Sequence, residues 1–337
     1  MIHYFTDRTH IEENAVNELQ SFIDDGCEIA VFPDIHFTSA ESAPVGTAIK
    51  SNTYLYPTIT GKDAGCGVAF MRFKGLDVAF DKEKHYKSLE RTVHSSTDEG
   101  LGSGNHFLSI ERSNKYLYII VHTGTRNRGI GMFQKFFGAL NGERKLRVED
   151  FDFYDEYVDL LNYGKVRREE FLFGIRDFLI RNKYISETDV YEVYDSIHNH
   201  FTIDNDTVIH RKGATELVTD EIVCIPLSLS RGCLIVKANI WDEETIRNSL
   251  SSCAHGAGRA MSRSDAAKYF YNMKKSEKKK YYEAFPELVG KGGTFSTRIL
   301  QELDFAYKPV PTMLEDQPHL IKEDETEPIV TVKMQDF

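Results

Sequence analysis

Several things are scarce in this 337-residue chain, beginning with tryptophan, of which there is one against 22 phenylalanines and 17 tyrosines. The core is therefore expected to be rich in Phe and Tyr. Cysteine pairs are missing too. Cys27, Cys66, Cys224, Cys233 and Cys253 are an odd number without a Cys-x-x-Cys spacing. That excludes a disulfide framework and points to a reducing, cytoplasmic setting. No run approaches 18 uninterrupted apolar residues, so no transmembrane helix is expected. The start, Met1-Ile2-His3-Tyr4-Phe5-Thr6-Asp7-Arg8, lacks the basic-then-apolar order of a secretory signal. Positive charge is short as well. The formal net charge of −11 argues against a general nucleic-acid binder.

What positive charge there is comes in clusters. Lys274, Lys275, Lys278, Lys279 and Lys280 form one run, and Arg126/Arg128, Arg167/Arg168 and Arg259/Arg263 form pairs. A lysine run on a helix reads first as a solvated face. A basic cleft in an acidic protein stays open as the other reading. Much of the acidic excess lies in Glu315, Asp316, Glu323, Asp324, Glu325 and Glu327. The expected organisation is one domain over 1–314 and an acidic tail over 315–337, in which Ile329–Val332 has the pattern of an edge strand.

Along the chain, residues 10–25 show helical spacing of Val16, Leu19, Phe22 and Ile23, stopped by Gly26. Cys27–Pro33 reads as a strand that delivers Asp34-Ile35-His36. Residues i and i+2 of a strand share a face, so these two side chains are either paired ligands or a turn aspartate beside a surface histidine. Residues 37–62 read as loop. Asp63 and Cys66 follow among three glycines, Gly61, Gly65 and Gly67, and lead into a strand over 68–73. A carboxylate and a thiolate so close suit a borderline metal ion, although cysteine also fills small core spaces. Residues 77–91 read as an exposed helix. The glycine-rich Gly100–Glu111 stretch fits neither common phosphate-loop spacing. The β-branched and aromatic run Tyr116–Val121 is a strand ending in His122-Thr123-Gly124. Residues 130–195 read as mostly helical. Strands are expected on either side of Gly213, over 221–226 and over 233–238.

The histidines carry most information. His36, His106, His122, His198, His200, His210 and His255 all sit in Gly-, Asn- or Asp-containing turns beside predicted strands. With Asp63 and Cys66 they suggest a dinuclear metal site in which two donor sets share the Cys66 thiolate. Such sites neutralise phosphate charge and activate a nucleophile. His255 lies in Cys253-Ala254-His255-Gly256-Ala257-Gly258-Arg259. Gly256 and Gly258 would let backbone approach a phosphate, and Arg259 would grip it. On residues alone, His255 is a ligand, a base or a nucleophile.

The ordered series Pro33-Asp34-Ile35-His36, Asp63-Ala64-Gly65-Cys66-Gly67, Gly104-Asn105-His106-Phe107, His122-Thr123-Gly124-Thr125-Arg126, Tyr194–Asn199, His210–Ala214 and His255–Arg259 resembles the RtcB family of tRNA-splicing RNA ligases. The resemblance runs from about residue 30 to Lys308. It implies an α+β fold in which mixed sheets carry metal ligands at strand ends around a central cleft, with helices outside. It implies a GTP-dependent enzyme with two Mn²⁺ ions that joins RNA 3′-phosphate or 2′,3′-cyclic phosphate ends to 5′-hydroxyl ends. His255 would be the guanylylated nucleophile. Cys66 would bridge the metals, with His122 and His198 completing one site and Asp63 and His106 the other. Asn105 and Asn199 would hold the GMP phosphates or ribose. Arg259, His210, Arg211 and Lys212 would line the nucleotide and RNA pocket together with Ser228, Gly256 and Gly258. Lys308 matches a near-C-terminal lysine on the guanine, and Asp34 an acidic residue near the RNA end. An archease-type activator is a further implied partner, and no membrane is involved.

Three departures from the family pattern stand out. Ser109 replaces a glutamate, with Glu111 two residues later on the same strand face. The loop after Ile225-Pro226 reads Leu227-Ser228-Leu229-Ser230-Arg231-Gly232, with leucines where small residues are usual. The chain is also short for the family. Two other function classes follow from these departures and from the net acidity. One is a metal-dependent RNA or nucleotide phosphoesterase or nucleotidyltransferase without ligation, and the other a non-catalytic RNA-end binder.

Overall fold

The computed structural model describes residues 1–37, 43–102, 104–290 and 292–333. Ser103 of the glycine-rich stretch and residues 334–337 of the expected tail lie outside the described residues.

Helices and sheets are mixed, as an α+β chain requires. One five-stranded sheet runs, in spatial order, Ile2–Tyr4, Glu28–His36, Val45–Asn52, Thr207–Lys212 and Asn199–Asp204. Its first pair is parallel and the rest antiparallel. A second five-stranded sheet is antiparallel throughout, in the order Glu327–Val332, Phe107–Arg112, Tyr116–Thr123, Gly67–Lys74 and Tyr191–Ile197. Ile222–Ser228, Gly232–Ala238 and Leu320–Glu325 form a three-stranded sheet.

The largest apolar cluster packs one face of the second sheet (Ala69, Met71, Leu108, Ile110, Leu117, Ile119, Val121) against helices Lys82–Ser95 and Tyr154–Arg181. The sheet's other face places Phe70, Tyr118 and Ile120 against Cys224, Cys233 and Ile235 of the three-stranded sheet. With both faces covered, Tyr116–Thr123 reads as a continuous buried run. All five cysteines are buried and free. Among the described residues no helix is long and apolar enough to cross a membrane.

Several sequence expectations need correction. The first helix is Glu13–Asp24, and Ala15, Leu19 and Phe22 face inward while Val16 is exposed. Within the 37–62 stretch, Val45–Asn52 is a central strand. Its pattern hides because Thr47 and Ser51 are buried, their hydroxyls bonded to the carbonyls of Pro44 (2.7 Å) and Tyr54 (2.5 Å). Tyr191–Ile197 is a strand at the end of the region expected to be helical. The acidic tail is not a separate unit over its described length. Leu320–Glu325 pairs with Gly232–Ala238, and Glu327–Val332 forms a sheet edge against Phe107–Arg112. The strand is held because Val330 and Val332 enter the core of the second sheet while Thr331 is buried on the opposite, cavity side.

Candidate metal and nucleotide site

Strand register builds the site. In the second sheet Gly67 lies opposite both Thr123 and Ile197, and Phe107 lies opposite His122. Cys66 directly precedes Gly67, His198 directly follows Ile197 and His106 directly precedes Phe107. Four residues far apart in sequence therefore meet at one end of one sheet. The His198 N–H also donates to the Cys66 carbonyl at 3.0 Å.

Two arginines of the long helix Tyr154–Arg181 hold the turns that carry these residues. Arg168 pairs with Asp195 and donates to the carbonyls of Gly65 (2.8 Å) and Thr123 (3.2 Å). Arg167 donates to the carbonyls of Gly124 and Gly100. Both are fully buried. A buried guanidinium is costly unless its donors are used, and here all but Arg167 Nε tie the loops beside Cys66 and His122 to the scaffold.

The donor atoms converge. Cys66 Sγ lies 3.4 Å from His122 Nε2 and 3.5 Å from His106 Nε2, and the Nε2 atoms of His122 and His198 are 3.3 Å apart. All are buried. Burial pushes the Cys66 thiol up to about 12, and it pulls His122 and His198 well below the usual imidazole range and His106 to about 4. These contacts lie within hydrogen-bonding range, with donor and acceptor roles set by the imidazole tautomers, and the same geometry can be taken over by an ion. Donor separations of 3.3–3.5 Å are those of neighbouring ligands about 2.0–2.3 Å from one ion. Cys66, His122 and His198 thus fit a divalent metal, and thiolate with imidazole suits Mn²⁺ or Zn²⁺. Asp63 is exposed at the cavity wall and joins no such donor cluster among the described residues.

His255 stands next to this cluster, its ring centroid 4.7 Å from that of His198. Its Nδ1 lies 2.8 Å from the Gly213 carbonyl and 3.2 Å from Asp34 Oδ2. Burial lowers its pKa, opposed by the Asp34 charge. The proton thus belongs on Nδ1, which leaves Nε2 with a lone pair. Gly258 has φ +72°, and a Cβ there would come within 2.5 Å of the Pro33 carbonyl oxygen. This glycine serves close packing of the His255 segment onto the Asp34 strand. Lys308 Nζ donates to the same Pro33 carbonyl at 2.7 Å.

These groups open into a cavity of about 660 Å³, within the size range of small-molecule sites. Asn105, Ser228, Gly256 and Arg259 line it as expected, as do Lys212 and Asn199. Asn199 accepts the Gly213 N–H at 2.8 Å, and Lys212 Nζ donates to the Thr60 carbonyl at 3.0 Å. Arg259 Nη1 reaches the Tyr307 hydroxyl at 3.3 Å.

His210 and Arg211 do not line the cavity. His210 accepts the Tyr56 N–H at 3.0 Å and contacts the Ile49 carbonyl at 3.0 Å, so both ring nitrogens are used. Arg211 points to the other face of its strand, onto Glu216 (3.1 Å) and Ser252 (2.9 Å). Both are structural here because strand alternation sends them into the sheet's two packed faces.

Sequence reasoning missed two cavity residues, Lys333 and Glu302, which pair at 3.5 Å. Glu302 also accepts the Tyr307 hydroxyl at 2.7 Å. The available signal was the alternating Ile329–Val332 strand, whose next residue is this lysine. Glu111 reaches the cavity wall where Ser109 does not, and the Ser109 hydroxyl donates to it at 2.5 Å. Leu227 and Leu229 form part of the cavity wall, and each is also packed into an apolar cluster behind it.

Comparison with known proteins agrees with this geometry. The family profile described as tRNA-splicing ligase RtcB matches residues 77–334. Over 280 residues the chain is 25% identical to RNA-splicing ligase RtcB2 of Escherichia coli, covering 70% of this chain and 71% of that one. RNA-splicing ligase RtcB1 of Escherichia coli is 21% identical, with 87% and 86% covered. A tRNA-splicing ligase RtcB of Nanoarchaeum equitans is 24% identical, with 62% and 53% covered. The chain belongs to the RtcB family of tRNA-splicing ligases.

Proposed function

We propose that this protein is a GTP-dependent RNA ligase that joins an RNA 3′-phosphate or 2′,3′-cyclic phosphate to a 5′-hydroxyl through a guanylylated His255. One observation carries the reading. An imidazole with its Nδ1 held by Gly213 and Asp34 lies beside a Cys66/His122/His198 cluster, inside a cavity of nucleotide size. Asp34 fixes the ring's tautomer and orientation, as a carboxylate behind a catalytic histidine does.

His255 Nε2 attacks the α-phosphorus of GTP, and pyrophosphate leaves. The RNA 3′-phosphate then takes GMP from His255, and the 5′-hydroxyl of the second RNA attacks that activated end and expels GMP. Cys66, His122 and His198 would hold one divalent ion, with His106 and Asp63 available to a second. When bound, such ions supply neutralisation of phosphoryl charge, for which Mn²⁺ is the expected metal. The cations of the cavity, Arg259, Lys308 and Lys333, bind and align the phosphates and the base, and alignment supplies much of the rate in such transfers.

The test is incubation with α-labelled GTP and Mn²⁺. A covalent adduct is expected in the wild type and none in His255→Ala. The absence of an adduct with any nucleotide would sink the reading. Joining of a 3′-phosphate RNA to a 5′-hydroxyl RNA separates ligation from simple phosphoester hydrolysis.

A further inference from the structure

The cavity continues outward onto a surface that the site does not use. Met261, Ser262 and Arg263 form part of its wall, and Arg263 is the first residue of helix Arg263–Asn272, which helix Lys275–Ala284 follows. From Arg263 to Lys280 the chain carries seven cations against two carboxylates, Asp265 and Glu277, in a protein of formal net charge −11. The second helix buries none of its residues, and Lys274, Lys275, Lys279 and Lys280 are exposed. Lys268 pairs with Asp265 at 3.1 Å and Lys279 with Glu283 at 3.4 Å. Lys278 is fixed on the Tyr271 carbonyl at 2.7 Å.

Two large rings are exposed on helix Arg263–Asn272, two positions apart and so on different sides of its axis. Tyr269 is 51% exposed and Tyr271 59%. Tyr269 rests on Phe305, with ring centroids 5.0 Å apart. Arg231, from the loop that departs from the family pattern, reaches the same patch. It lies 4.0 Å from Asp304, whose carboxylate also takes the Tyr281 hydroxyl at 2.7 Å. Asp304 is thus already shared, and the lysines beyond it face water.

We propose that Arg231, Tyr269, Tyr271 and the lysines of 274–280 form a docking track for single-stranded RNA whose end enters the cavity. Charge complementarity selects a polyanion, and continuity with the cavity wall gives the strand a destination. Exposed aromatic rings between the cations select unpaired bases, because every base offers a face to stack. The direction of the strand rests on the ligase reading above, whereas the binding itself does not.

The experiment measures anisotropy of a labelled single-stranded RNA of about 20 nucleotides with a 3′-phosphate, long enough to span cavity and ridge. The variant is the full chain carrying Lys274→Glu, Lys275→Glu and Lys280→Glu. Its affinity is expected to fall at least about tenfold, with a shallower dependence on salt. A trinucleotide 3′-phosphate and the His255 adduct with GTP are expected to be unaffected. Unchanged affinity for the long RNA overturns the proposal, and so does an equal loss for the trinucleotide. A second variant, Tyr269→Ser with Tyr271→Ser, is expected to weaken single-stranded RNA while leaving duplex RNA unchanged. Equal effects on both overturn the single-strand reading. If the wild type forms no adduct, the ligase reading fails, yet the RNA affinities still decide for or against the track.

Discussion

Two groups of buried histidines in this protein look alike in sequence and differ in what their ring nitrogens face. His210 sits in the first sheet with one nitrogen on the Ile49 carbonyl and the other taking the Tyr56 N–H. His200 and His319 each direct Nε2 to a protein acceptor, Glu216 at 3.2 Å and the Ser252 carbonyl at 3.0 Å. His122 and His198 instead turn Nε2 toward each other and toward a thiol. Burial is common to both groups and separates nothing. The kind of neighbour does separate them: His210, His200 and His319 face carbonyls, a carboxylate or a backbone N–H, whereas His122 and His198 face each other and a thiol, the donor set a borderline metal takes.

Substitution should split the groups cleanly. Cys66→Ala is expected to abolish ligation and adduct formation, a loss of at least about a thousandfold, with little effect on folding. Full activity in that variant would erase the distinction. His210→Leu is expected to do the reverse. It leaves the Tyr56 N–H and Ile49 carbonyl unpaired, and unfolding by urea should report a loss of about 2–4 kcal/mol. Metal uptake by the folded fraction should persist.

Asp34→Asn tests the nucleophilic role proposed for His255. It keeps the shape beside His255 and removes the charge, so the rate of adduct formation is expected to fall about 10- to 100-fold. The two cavity lysines refine the nucleotide side. Lys308 is held by the Pro33 carbonyl, whereas Lys333 pairs with Glu302 at 3.5 Å inside the cavity, so Lys333→Met is expected to raise the KM for GTP about tenfold and Lys308→Met by less. A separate effect, on folding and not on chemistry, is the pH dependence of stability. His210 and His319 are held at about 4 by burial, while the unfolded chain takes up protons below about 6.5. The unfolded state therefore binds more protons between those values, and stability is expected to fall as pH drops from 6.5 toward 4. The slope is up to about 1.4 kcal/mol per pH unit for each histidine. His210→Gln should flatten it.

The ligand cluster was legible because strand-end motifs carry their own geometry. His122 after an apolar run, and Cys66 before one, are placed at a sheet margin by pattern alone. Register brings them together, and register is not local. His210-Arg211-Lys212 was misread for the same reason. Only Lys212 reaches the cavity, because which face of a central strand meets the site depends on the partner strands. Val45–Asn52 escaped notice because its buried hydroxyls look like loop residues. Glu302 and Lys333 meet across 31 positions of chain, and nothing near either one announces the other.

The edge strand Glu327–Val332 also has a consequence for the order of biosynthesis. It follows every other part of the site in the chain, and its next residue, Lys333, is the partner of Glu302 inside the cavity. A nascent polypeptide that has already exposed Cys66, His122, His198 and His255 still lacks that cation and the strand beside Phe107–Arg112. Until residue 333 clears the ribosome the cavity has an open side, so His255 is made well before the wall beside Phe107–Arg112 is complete.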